Sequence, residues 1–238
     1  MEGNAGPNSN ETVDDIVERL KKVSNIDYWN NLRRFSIPQK NSLGVPVPEI
    51  RRFARHIEHS VSIAMDLWKT GIHEAMILAT LVFPPEQLTI EEANTMVENV
   101  DSWDLCDHFT GNLVCNSKVA IKAVEEWYSR DEEFVKRSAF SIIAQLDMKN
   151  FTEKDVKFFL ECILASVEDE RNFVTKAVSW ALREIGKSCM EYNSLAVNTA
   201  IRISEMESRS AARVGRTAIR EISSRKVRAR LENTLCKD

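Results

Sequence analysis

The sequence predicts an all-α protein built from stacked helix pairs, and three observations carry that expectation. The chain of 238 residues contains only 7 Gly and 6 Pro, too few turn residues for a sheet structure with many hairpins. Apolar residues return every three or four positions along most of its length, the period of a helix with one buried face. Three segments also align with one another: "FVKRSAFSIIAQL" from residue 134, "FVTKAVSWALREI" from 173 and "SAARVGRTAIREI" from 210, with starts separated by 39 and 37 residues. "GIHEAMILATLVF" from 71 is a weaker fourth copy. A period of roughly 40 residues is the length of two antiparallel helices and their turns. Such HEAT-like units bury their apolar faces only by stacking on neighbours, so the expected architecture is a right-handed α-solenoid superhelix.

The elements follow in order along the chain. Residues 1–10, "MEGNAGPNSN", are polar and without apolar period; they are expected to be a disordered tail ahead of a single domain spanning 11–238. They also lack the apolar core of a signal peptide. Thr12 stands where an N-cap would open an amphipathic helix, and Pro48 begins "PEIRRFARHI" as Pro does in a first helical turn. "TIEE" at 89–92 is a capping box, and Thr152 opens "TEKDVKFFLECILASV". About a dozen short helices with brief connections result.

Composition narrows the function classes. Apolar content is 43% and charged content 29%, as in a soluble globular protein, and the longest apolar runs, such as "AMILATLVF", are far too short for a membrane span. The five cysteines are odd in number and form no C-x-x-C; they mostly sit among apolar residues, as buried thiols of a reducing compartment do. A cytoplasmic, intracellular location is expected. His56 and His59 share a possible helix face, but no further ligand stands at metal spacing beside them, so neither metal nor cofactor is expected.

The net charge of −4 hides a strong polarity. Between Glu86 and Asp107 there are seven acids and no Lys or Arg, whereas Arg209 to Arg230 holds eight basic residues against one acid, Glu221. The aligned segments repeat a cation in their fourth column (Arg137, Lys176, Arg213) and another in their eleventh (Arg183, Arg220). Stacked repeats would align these along one surface. Arg209, Arg213, Arg216 and Arg220 also follow the spacing of a single helical stripe.

One stretch stands apart chemically. In "DSWDLCD" at 101–107, Trp103 and Asp107 are four residues apart and would share a helix face, as would Lys176, Trp180 and Arg183 in a later repeat. Each group sets a flat apolar ring beside a charge. Two readings remain open at this level: the tryptophans anchor the core and Asp107 is an exposed or capped acid, or both groups face a ligand. No phosphate loop, zinc motif or nucleophile elbow competes.

"DSWDLCDHFTGNL", then "FVKRSA", then "DERNFVTKAVSWALREIGK" resemble the alkylpurine DNA glycosylases of the AlkD type. "GVPVPEIRRFAR" at 44–55 is similar to their G-[IV]-x-x-P-x-x-R segment, and the likeness covers nearly everything after about residue 11. The resemblance implies a solenoid that holds duplex DNA on a cationic concave face and excises N3- or N7-alkylated purines without flipping the base. It assigns the lesion cleft to Trp103, Asp107 and Trp180, and phosphate binding to Arg137 and Arg183. Lys176, Arg213, Arg216 and Arg220 join the DNA-binding set through the repeat columns and the stripe. The expected partner is double-stranded DNA with alkylated bases, bound by a monomer. Relatives of this fold include noncatalytic binders of damaged or branched DNA, which is the first alternative; a protein-interaction scaffold, whose tryptophans would be core, is the second.

Overall fold

The computed structural model describes residues 12–232 and Thr234; the expected N-terminal tail lies outside them. Among the described residues there are fourteen α-helices and no strand. The chain divides after Ala120 into two compact units.

The first unit is assembled around a helix that is apolar on every side. It contains α1 (Val13–Lys22), α2 (Ile26–Leu32), α3 (Val47–Ala54), α4 (Val61–Lys69), α5 (His73–Val82), α6 (Ile90–Val97) and α7 (Trp103–His108). The predicted caps hold: Thr12 and Asp15 cap α1 reciprocally, as do Thr89 and Glu92 for α6. Helix α3 begins at Val47, one residue ahead of the predicted proline start, and ends at Ala54, so His56 and His59 fall beyond it. The run "AMILATLVF" becomes α5, buried from His73 to Thr80, and α1, α3, α4 and α7 all pack on it. A helix with no polar face has to be surrounded.

Helix α7 passes into a π-helical turn, Phe109–Leu113. Asn116 Nδ2 donates to the carbonyls of Gly111 and Asn112 at 2.9 and 3.0 Å, satisfying groups that a wide turn leaves open. Phe109 packs on Trp68 with ring centroids 5.4 Å apart, and Asn112 Nδ2 donates to Thr80 Oγ1 at 2.9 Å, fastening the turn to α4 and α5.

The second unit contains α8 (Ala120–Trp127), α9 (Glu133–Gln145), α10 (Glu153–Ser166), α11 (Asn172–Gly186), α12 (Met190–Ser204), α13 (Arg209–Ile222) and α14 (Arg225–Leu231). The three aligned segments are α9, α11 and α13, and α11 packs between the other two. The intervening α10 and α12 complete the helix pairs, with Thr152 and Asp155 capping α10 as predicted. Helices α12 and α13 cross closely: a Cβ on Gly215 would stand 2.5 Å from the Ser204 nitrogen, which only glycine permits. Cys106, Cys115 and Cys162 are thiols, and burial pushes those of Cys115 and Cys162 up to about 12.

Candidate functional site

Of the five tryptophans, Trp68 and Trp127 are core residues, 3% and 0% exposed. Trp103 and Trp180 are only half-buried, as is Trp29. The two rings singled out in sequence are therefore not the core anchors that a scaffold reading requires.

Trp103 and Asp107, one turn apart on α7, line one cleft of about 840 Å³ together with Tyr28, Phe35, Asp104 and His108. Leu32, Ile37 and Val47 supply its apolar wall. No motif in the sequence announces such a cavity, because its opposite wall comes from residues 28–47. That wall is held by a carboxylate. Glu74, 1% exposed on α5, accepts from Ser42 Oγ (2.6 Å) and from the backbone nitrogens of Leu43 (2.8 Å), Gly44 (2.7 Å) and Val45 (3.2 Å). A buried charge is tolerated where several donors converge on it. Gly44 is required at the bend: its φ is +76°, and a Cβ there would meet Trp29 Cβ at 2.6 Å. The Trp103 indole N–H donates to the Phe35 carbonyl at 2.7 Å. Only the ring faces and edges of Trp103 remain for a ligand.

Asp104 is committed behind the cleft. Its Oδ2 lies 2.9 Å from His73 Nε2, with side chains 14% and 8% exposed. Burial works to depress the His73 imidazole, but the hydrogen bond and charge of Asp104, with Glu74 and Asp101 adding, raise it above the ordinary 6.5. Burial likewise works to raise Asp104, yet the His73 bond and charge hold it below 3.8. The neighbouring His108 is depressed, mainly by burial, which prevails over the opposing charge of Asp104; Arg51 and His73 add to the depression and Asp107 opposes it. Burial, then the charges of Asp104 and Glu74, pushes the Tyr28 phenol up. One α7 carboxylate thus serves an ion pair, while the other, Asp107, lines the cleft.

This pair gives a signed pH dependence. The raised His73 contributes stability that is complete below its unfolded value of 6.5 and is lost as pH rises through its folded value. The lowered Asp104 contributes stability complete above 3.8 and lost as pH falls through its folded value. The pair is therefore expected to stabilise most between about pH 4 and 6.5. Urea unfolding over pH 3 to 9 tests this: His73→Gln should flatten the dependence above 6.5, and an unchanged profile would count against the pairing.

In the second unit the repeat column divides. Lys176 and Arg213 are exposed, but Arg137 is 5% exposed and its Nη1 donates to the Phe173 carbonyl at 3.0 Å. The expectation of a surface row fails at Arg137 because α9 and α11 pack closely enough to enclose its side chain. Trp180 donates its indole N–H to Glu184 Oε1 at 3.2 Å. Arg183, expected on phosphate, donates to the Ser179 carbonyl (3.0 Å) and to Glu221 Oε2 (2.8 Å), and Lys187 bridges Glu184 and Glu221. Glu221, the one acid of the basic C-terminal stretch, is thereby engaged. Arg213, Arg216 and Arg220 are exposed on one face of α13, opposite Ala211, Val214, Ala218 and Ile222, with no ion pair to an acid among the described residues.

Sequence reasoning missed Tyr28, Phe35, His73, Glu74 and Asp104. His73 and Glu74 did carry a signal. Two ionisable side chains opening an otherwise apolar helix require buried partners.

Among the described residues no helix is long and apolar enough to cross a membrane. Residues 16–222 match the family described as "DNA alkylation repair enzyme". A search of curated proteins finds no match. Among solved structures, the chain is similar to a protein described as one of a new family related to the HEAT-like repeat DNA glycosylases with affinity for branched DNA structures. The TM-score is 0.77 at 16% identity, covering 93% of this chain and 96% of that one. The fold is accordingly of the HEAT-like repeat class.

Proposed function

The chain belongs to the DNA alkylation repair enzyme family, and from that premise we propose that it is a glycosylase hydrolysing the N-glycosidic bond of N3- or N7-alkylated, cationic purines in duplex DNA. The observation that carries this reading is the cleft in which Trp103 and Asp107 stand together, neither serving as core.

An alkylated purine already bears positive charge, so its bond to deoxyribose breaks toward a neutral leaving base and an oxocarbenium-like sugar. Protonation of the leaving group is unnecessary. The Asp107 carboxylate stabilises the developing sugar cation and orients the attacking water, as carboxylates do in glycoside hydrolysis. The ring face of Trp103 meets the cationic nucleotide, an interaction worth about 0.5 to 2 kcal/mol. Trp180 takes a like role in this reading on the strength of the family resemblance. Asp104, neutralised by His73, holds α7 in place without competing for the cation. Excision in this reading involves no metal or cofactor, and the protein acts as an intracellular, DNA-associated monomer.

The test is incubation with duplex DNA containing 7-methylguanine or 3-methyladenine, with free base measured. Release of base supports the reading; DNA affinity without release supports the second one, noncatalytic binding of branched DNA. The structural neighbour's own affinity for branched DNA favours that alternative, as does the burial of Arg137.

Phosphate binding is assigned to the exposed stripe Arg213, Arg216 and Arg220, joined by Lys176. Arg213→Ala is expected to weaken binding to undamaged duplex of any sequence and to reduce the slope of log affinity against log salt by about 0.9 for each phosphate no longer neutralised. A salt series measures this, and an unchanged slope would turn the stripe toward solvent or a protein partner. Arg183→Ala should change the slope less, because Glu221 already holds its guanidinium.

A further inference from the structure

We propose that Phe35 is a nucleobase-stacking residue at the mouth of the cleft, presented to duplex DNA on a cationic turn and tied to the ring of Trp103. The proposal rests on the DNA-binding reading above and adds an interaction that the family motifs in the sequence do not mark.

Among the described residues, large hydrophobic side chains are exposed at Ile26, Phe35, Met190 and Ile201, and Phe35 is the aromatic one, 62% exposed. A single exposed apolar side chain is ordinary, so its surroundings decide. Phe35 closes a short 3₁₀ turn, Arg33–Phe35, whose two arginines are both exposed. Residues 28–48 contain Arg33, Arg34 and Lys40 and no acid at all. Arg34 is steadied by a 3.2 Å bond to Asn31 Oδ1.

The turn is also fixed in shape. Ser36 follows with φ +58°, the only positive φ at a non-glycine among the described residues. This left-handed residue reverses the chain so that Ile37 returns to the core while Phe35 stays outside. The 2.7 Å bond from Trp103 Nε1 to the Phe35 carbonyl joins the turn to α7. Phe35 and Trp103 therefore line one cleft, joined through the Phe35 backbone carbonyl.

Aromatic faces flanked by cations suit nucleic acid. Every base has a face to stack, and the neighbouring arginines meet the phosphates on either side. The occupant this chemistry selects is a base of the duplex next to the lesion, partly unstacked against Phe35, as apolar wedges do at other DNA sites.

The experiment uses a duplex with 2-aminopurine beside a tetrahydrofuran abasic site, titrated with the full chain as wild type, Phe35→Ala and Phe35→Tyr while fluorescence is followed. Wild type is expected to change the 2-aminopurine emission on binding. Phe35→Ala should abolish that change and bind roughly tenfold more weakly, and Phe35→Tyr should restore both. An equal emission change with Phe35→Ala, or none with wild type although it binds, overturns the stacking role and leaves DNA binding standing. Failure of wild type to bind the duplex overturns the DNA reading itself. Phe35 is exposed, so truncation should leave the fold intact; should it not, Phe35→Leu, which keeps the apolar bulk and removes the ring, takes its place with the same expected loss.

Discussion

Replacing Asp107 by Asn is expected to slow release of 7-methylguanine from duplex DNA by about 100- to 1000-fold, with DNA affinity within a few-fold of wild type. The substitution removes a charge but almost no volume. An electrostatic interaction made chiefly in the transition state typically carries on the order of 3 to 4 kcal/mol. Asp107 is half-buried and lines the cleft. Single-turnover excision with chromatography of the released base measures the loss, and thermal denaturation controls for folding. Excision near the wild-type rate would remove Asp107 from the mechanism. Asp104→Asn is the instructive companion. It should disturb stability through His73, so a combined loss of stability and activity there, against activity alone at Asp107, separates the two carboxylates.

Glu74→Ala is expected to destabilise the protein by about 3 kcal/mol or more. Truncation removes the acceptor shared by the Ser42 hydroxyl and three backbone N–H groups. Unsatisfied buried donors cost about 1 to 3 kcal/mol each, though such costs do not add fully when the loop can shift toward water. Glu74→Gln should recover only part of this, since its amide nitrogen would face donors where an oxygen now accepts. Urea denaturation gives the magnitude, and an unchanged midpoint would mean that residues 42–45 are held by other interactions. The effect should reach the site as well. Segment 28–47 forms the wall opposite α7, so duplex affinity of Glu74→Ala is expected to fall along with stability.

Much of the helical architecture was legible in the residues themselves. Thr12, Thr89 and Thr152 stand at the N-caps their sequence patterns require, and the three aligned segments each fold as one helix, α9, α11 and α13. These features are local or periodic, and local chemistry states them directly. The shared face of Trp103 and Asp107 was legible for the same reason, because a spacing of four is a property of the helix alone. Arg137 shows the limit. Its column position matches Lys176 and Arg213, yet it is enclosed while they are exposed, since burial depends on how closely neighbouring helices approach.

By itself the sequence determined the helices, their caps, the repeat, the basic stripe of α13 and the α7 pair of ring and carboxylate. Only the tertiary structure decided that this pair opens on a cleft, because the opposite wall is contributed by residues 28–47, more than fifty positions earlier in the chain. It also decided where each of the two α7 carboxylates is placed. Asp104 and Asp107 are equivalent letters on one helix, but Asp104 meets His73 across a packed interface and is neutralised there. Charges far apart in sequence meet only through folding, so the pairing of Asp104 with His73 could not be read from α7 alone.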